Sequence, residues 1–428
     1  MLAVLADLSI EARWIVPMNA AGRVLENHSL VVRDGRILDI LPISVAADSY
    51  CARVVVQRPT HLVIPGMVNT HSRAAMSLFR GVGSSVSALE QRFAGPEFVR
   101  DGALTAIAEM LRSGITCFGD RYYFPHETAR AASEQGMRAV IGMPVAETAS
   151  PWAKTSADYL TEGLNVCDEY KGHPLISTVF APHAPNTMSD ATFARIATLA
   201  DELDAGIVID LHESTAEITE SIARHGGRPI DRLWKLGLLT PALNAVHMVN
   251  ATVEDIDLAK RTGISISLGP QSALKRGFGL PPVTSFAASG IRLSVGSDGS
   301  EPHQNHDVWG EMKLLALMSC AGTAPLSAWD VLAIATRGGA AVLGLDADVG
   351  ILERGKWADL CCVDLSGPTM QPLGDPVTQL VFCGGRDIVS DVWVAGRQLL
   401  SGGEMTRLDW PGVAARANAW IARLNSGG

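Results

Sequence analysis

The chain has 428 residues, 47% of them hydrophobic, and a formal net charge of −10; its mean hydropathy is +0.18 and its sequence pI about 5.6. This composition predicts a globular, enzyme-like protein with a sizeable core, and the acidic balance argues against nucleic acid as a partner, because phosphate binding needs clustered Lys and Arg. No apolar run approaches the ~20 residues of a membrane span, MLAVLADLSIEARW lacks the basic start of a signal peptide, and seven scattered cysteines without a Cys-x-x-Cys pair read as free thiols in a reducing cytoplasm.

In chain order, residues 1–58 read as short strands joined by turns. SLVVRDGRILDILP alternates and breaks at Asp34-Gly35, a hairpin signal. Residues 59–345 then alternate short apolar runs with amphipathic helical stretches. The runs include HLVIPGMVNTH, GITCFGD, RAVIGMPV, ISTVFAPHAP, GIVIDLHE, LNAVHMV, GISISLG and IRLSVGSDG; between them lie stretches such as SDATFARIATLADELD and TVEDIDLAKRTG. About eight strand-helix units of this length predict a closed parallel barrel. Residues 346–428 return to strand texture in GILERGKWADLCCVDL and DIVSDVWVAGRQLL. The expected architecture is therefore α/β: a barrel over 59–345, with a small β-sandwich domain built from 1–58 and 346–428.

Chemistry in such barrels sits at the C-terminal ends of the strands. His71 and Arg73 follow MVNT, Asp120 follows TCFG, and His183 follows TVFAP. Asp210, His212 and Glu213 follow GIVI, His247 follows LNAV, and Asp298 follows LSVGS. One histidine at a strand end is usually structural. Six strand ends carrying His, Asp or Glu in succession point to one shared cavity.

The segments PGMVNTHSRAAMSLFRG, SGITCFGDRYYFP, APHAPNTMSD, LHESTAEITES, VHMVN, GPQSALK and GSDGSEPHQNHD resemble the amidohydrolase superfamily, in the branch of S-adenosylhomocysteine/methylthioadenosine deaminases. The resemblance covers nearly the whole chain and implies a distorted (β/α)8 barrel with the small β-domain. It also implies a divalent metal, usually zinc, on two histidines of His-x-His, a third opening His-x-x-Glu, a fourth one strand later, and an aspartate. Carried over, His71 takes the first position, Arg73 the second, Asp210 the third, His247 the fourth and Asp298 the last. Glu213 is the proton-shuttling glutamate and His183 a substrate-positioning histidine. His212 is not at the ligand position.

Arginine offers only donors and stays charged, so it is no zinc ligand. The leading expectation is that no metal is held: the Arg73 guanidinium takes the ion's place, forked onto Asp210 or Asp298. Glu213, Asp298, His247, Arg73 and Asp210 then carry acid/base chemistry on a small N-heterocyclic or nucleoside-like substrate, with His71, His183, Arg121 and His303 as substrate contacts. Two alternatives stay open. One keeps zinc on His71, Asp210, His247 and Asp298 with Arg73 turned to substrate; the other is a non-catalytic small-molecule binder. His303 and His306 are read first as surface residues. A small-molecule substrate is the expected partner, with neither nucleic acid nor membrane involved, and a homodimer or higher homo-oligomer fits the branch.

Overall fold

The structure, a computed structural model, describes residues 3–20, 22–82, 86–299, 305–322 and 324–426. Two eight-stranded sheets organise it. The first collects β1 (Val4–Ile15), β2 (Leu25–Arg33), β3 (Arg36–Pro42) and β4 (Tyr50–Pro65) from one end of the chain. The second is parallel and holds β5 (Met67–Ser72), β6 (Ile115–Arg121), β7 (Arg138–Val145), β8 (Ile176–Pro182), β9 (Ile207–Leu211), β10 (Leu243–His247), β11 (Ser265–Leu268) and β12 (Arg292–Val295). From the far end, β13 (Leu360–Asp364), β14 (Val389–Val394), β15 (Arg397–Ser401) and β16 (Glu404–Met405) rejoin the first sheet, β13 pairing antiparallel with β4.

The hairpin expected at Asp34-Gly35 joins β2 to β3, with φ of 52° and 76° at the two residues. Both angles are positive, as a tight primed turn requires. HLVIPGMVNTH is not one strand: His61–Pro65 closes β4 in the first sheet and Met67 opens the barrel. Gly66 allows the break, because a Cβ there would lie 2.1 Å from Thr116 Oγ1.

The barrel strands are buried almost throughout, as strands covered on both faces must be. Parallel pairing runs in order from β5 to β12. Only Phe180 and Ile207 register between β8 and β9, which makes the barrel irregular there. Closure comes at the top, where Ser72 and Asp298 bridge, Asp298 N donates to His71 O (2.9 Å) and Arg73 N donates to Asp298 O (2.8 Å). Gly296 permits this approach, since a Cβ there would lie 2.7 Å from His71 N. A hydroxyl layer fills the interior beneath: Thr70, Ser267 and Ser294 bond one another at 2.8–3.0 Å. The last helix, Trp410–Ser426, packs against the barrel helix Pro96–Arg112, with Trp420 Nε1 and Arg416 Nε both donating to Asp101.

Candidate active site

Barrel geometry places the expected residues together. His71 ends β5 one residue before its limit, Asp210 lies in β9, His247 ends β10, and Asp298 follows β12. All four are buried. His247 and Asp298 hold left-handed backbone, with φ of 77° and 56°. Such conformations in non-glycine residues cost about 1–3 kcal/mol and gather at functional sites. The donor atoms of His71, His247 and Asp298 lie within 4.8 Å of one another. His71 Nε2 is 3.4 Å from Asp298 Oδ1 and is buried without a hydrogen-bond partner. Ser272 Oγ fixes the other carboxylate oxygen of Asp298 at 2.6 Å.

Electrostatics prepare this cluster. Burial pulls both imidazoles below their ordinary range, so His71 and His247 are neutral at pH 7 and present lone pairs. Burial opposes ionisation of Asp298 as well, but its neighbours, the Arg73 guanidinium among them, outweigh it and hold its carboxyl well below the usual range. Two neutral nitrogens and one anionic oxygen make a borderline-soft donor set that suits zinc.

Glu213 sits beside the cluster. Its Oε1 lies 3.3 Å from His247 Nε2 and accepts a hydrogen bond from Arg276, which follows the helix Pro270–Lys275. Burial raises its carboxyl and His247 partly offsets the rise. A carboxyl poised in this way suits proton transfer. Arg276 had no signal in the sequence, because its reach depends on a turn that no periodicity marks.

The two arginines do not sit as expected. Arg73 approaches Asp210 at 3.6 Å and Asp298 at 3.8 Å, both without a hydrogen bond, so it is not forked onto either carboxylate. Asp210 is bonded instead by Arg121 at the end of β6. Arg121 has a long side chain and spans the barrel interior to β9, a reach that strand order alone does not reveal. Asp210 Oδ1 lies 3.5 Å from His247 Nε2. Burial opposes its ionisation, but the Arg121 and Arg73 guanidinium groups hold it far below the ordinary range.

His183 lines a pocket of about 130 Å³ at the barrel mouth together with Arg73 and Arg121. Its Nδ1 is 3.0 Å from Thr187 Oγ1, and burial, then Arg73, keeps it neutral. His212 is structural, 3.3 Å from Asp255 and accepting from Ile230 N. Asp120 is structural too, accepting from Ala74 N (2.6 Å) and Ser72 Oγ (3.2 Å). His303 lies outside the described residues. His306 is not a surface residue: it is buried, 2.9 Å from Ser297 Oγ and 3.1 Å from Ser77 Oγ. Ser297 is the neighbour of Asp298 and is held on its other side by Asn69.

The amidohydrolase family profile matches residues 62–399, which spans the barrel and the β13–β14 part of the joined sheet. The chain belongs to the amidohydrolase family. It is therefore a hydrolytic enzyme by descent, and relatives agree. A 5-methylthioadenosine/S-adenosylhomocysteine deaminase of Teredinibacter turnerae is 38% identical over 98% of both chains. One of Saccharophagus degradans is 37% identical over 98% of this chain and 97% of its own. Among solved structures, an adenosine deaminase of Xanthomonas campestris with bound zinc superposes with a TM-score of 0.97, at 36% identity, over 99% of this chain and 100% of its own. An atrazine chlorohydrolase of Arthrobacter aurescens superposes at 0.89 with 22% identity, over 97% of this chain and 100% of its own, a likeness of fold.

The expectation of a centre without a cofactor is corrected by these findings. A similar amidohydrolase structure carries zinc, and this chain keeps a His-His-Asp group with the spacing and protonation to ligate an ion. Substitution of two histidines weakens the sequence signal more than the geometry, because three N/O ligands make a sufficient site.

Proposed function

We propose that the protein is a zinc-dependent hydrolytic deaminase acting on an amino-substituted, nucleoside-like N-heterocycle. The observation that carries this reading is the buried His71–His247–Asp298 group, whose His71 Nε2 has no hydrogen-bond partner, beside Glu213. An unpartnered buried imidazole nitrogen costs free energy unless something binds it. His71, His247 and Asp298 would hold the ion, which would supply Lewis acidity and an acidified water.

Glu213 takes a proton from the attacking water and returns it to the leaving amine. The ring carbon loses ammonia and gains a carbonyl. Arg276 keeps the Glu213 carboxylate aimed at this position. Neutral His183 lines the substrate's side of the pocket and positions the ring. Asp210, ion-paired with Arg121, lies 3.5 Å from His247 Nε2. The names of the Teredinibacter and Xanthomonas relatives support an aminopurine-like reaction class. The test is ammonia release by zinc-loaded protein from a panel of amino-purine nucleosides and smaller amino-heterocycles. Release that disappears in His247→Ala upholds the reading; no release from any member defeats it.

A further inference from the structure

The mouth pocket carries two guanidinium groups with unused donors. Arg73 follows β5 and Arg121 ends β6, so adjacent strands deliver two guanidinium groups to one wall. Arg73 Nε and Arg121 Nη1 are both buried and both lack a hydrogen-bond partner. The Arg121 side chain is 8% exposed and its one bonded arm goes to Asp210. A charged donor left unpaired in a buried site costs more than a neutral one, so this wall is built for an acceptor that arrives with the ligand. Among the described lining residues the one carboxylate is Glu90. Glu90 lies near Tyr122 and Tyr123, whose ionisation it disfavours, behind the larger effect of burial.

The surrounding charge points the same way. Arg73, Arg121 and Arg276 face Asp210, Asp298 and Glu213 around the centre. A divalent ion added to that balanced set leaves the site positive, and an anionic ligand reduces the excess. Size narrows the ligand further. The pocket encloses about 130 Å³, and an apolar cavity of about 150 Å³ takes a benzene ring.

We propose that the substrate is anionic: a single-ring amino-heterocycle bearing a carboxylate, which Arg73 and Arg121 bind with the donors that have no partner within the protein. This rests on the deaminase reading and deepens it. Neutral adenine would bring ring acceptors without charge, and so no charge-assisted pairing, to the two guanidinium groups. Arg73, one residue beyond His71-Ser72, is then a specificity residue that selects charge beside the reacting carbon.

The experiment compares 2-aminopyridine-3-carboxylate with its neutral carboxamide, and with adenosine, on the zinc-loaded full chain. Calorimetry gives the Kd values and ammonia release gives turnover. The carboxylate should bind at least about tenfold more tightly than the carboxamide, the worth of one charge-assisted hydrogen bond. Arg73→Gln should erase that preference. Equal or weaker binding of the carboxylate, no binding of either probe, or a preference that survives in Arg73→Gln overturns the proposal. If Arg73→Gln does not fold, the wild-type preference decides alone. Ammonia release from adenosine without a carboxylate preference refutes the anion site and leaves the deaminase reading standing. Tight carboxylate binding with no ammonia from any amino-heterocycle does the reverse.

Discussion

Arg121→Met removes the hydrogen-bonded partner of a buried carboxylate. The two side chains are 8% and 12% exposed, so water cannot take the arginine's place. Breaking a buried ion pair from one side costs about 3–5 kcal/mol, because the other charge stays behind. Arg73 remains 3.6 Å from Asp210 and offsets part of the loss, which places the expected cost at the lower end. A chain of 428 residues has an unfolding entropy of roughly 0.9 kcal/mol/K at ~2.1 cal/mol/K per residue, so a loss of about 3 kcal/mol lowers Tm by about 3 °C. Adding Asp210→Asn removes the stranded charge and should return most of that drop. Calorimetric melts of wild type, both single variants and the double variant complete the cycle. An unchanged Tm in Arg121→Met refutes the reasoning. So does a double variant whose loss is the sum of the two single losses, since the groups would then not be coupled.

Glu213→Gln should lower kcat by about 10²–10⁴, the usual worth of a positioned acid/base group, while zinc content and Kd for a substrate analogue stay near wild type; an unchanged kcat removes Glu213 from the mechanism. His306 gives a pH signature. Burial holds its folded pKa at about 4, against 6.5 for the ordinary imidazole. The unfolded chain therefore takes up the proton first as pH falls. The stability that His306 contributes is complete above pH 6.5 and is lost progressively towards pH 4, a total of about 3 kcal/mol. His306→Gln should flatten urea midpoints between pH 7 and 4.5, and a slope equal to wild type counts against the assignment. Asp359→Ala should lower Tm by about 3–5 °C, because Arg138 donates to both its carboxylate oxygens at 2.8 and 3.1 Å in a buried pair. Asp359 Oδ1 also accepts from Ala395 N and so joins barrel to sheet; a melt unchanged from wild type would mean that the junction does not depend on this pair.

The strand-end residues were legible because a parallel barrel buries its strands on both faces. Each strand then reads as an apolar run, and the first polar residue after it marks the mouth. His71, Asp210, His247 and Asp298 were found in that way, and the structure gathers them. Pairing across the mouth was not legible. The family resemblance put Arg73 on Asp210 or Asp298, in the place of a metal ion, yet Arg121 reaches Asp210 first from β6. Arg276 reaches Glu213 from a turn, and His306 enters the interior from a polar stretch whose neighbours suggest a surface loop. The metal question turned on the same gap. Two lost histidines looked like a lost site in the sequence, whereas the backbone still converges His71, His247 and Asp298 to within 4.8 Å.

The most direct test is elemental analysis of the purified chain after incubation with zinc and removal of the excess, alongside His71→Ala and Asp298→Ala. The account predicts about one zinc per wild-type chain, a rise in Tm on loading, and loss of both in the two variants. No retained zinc in the wild type, or retention that both variants share, would contradict it.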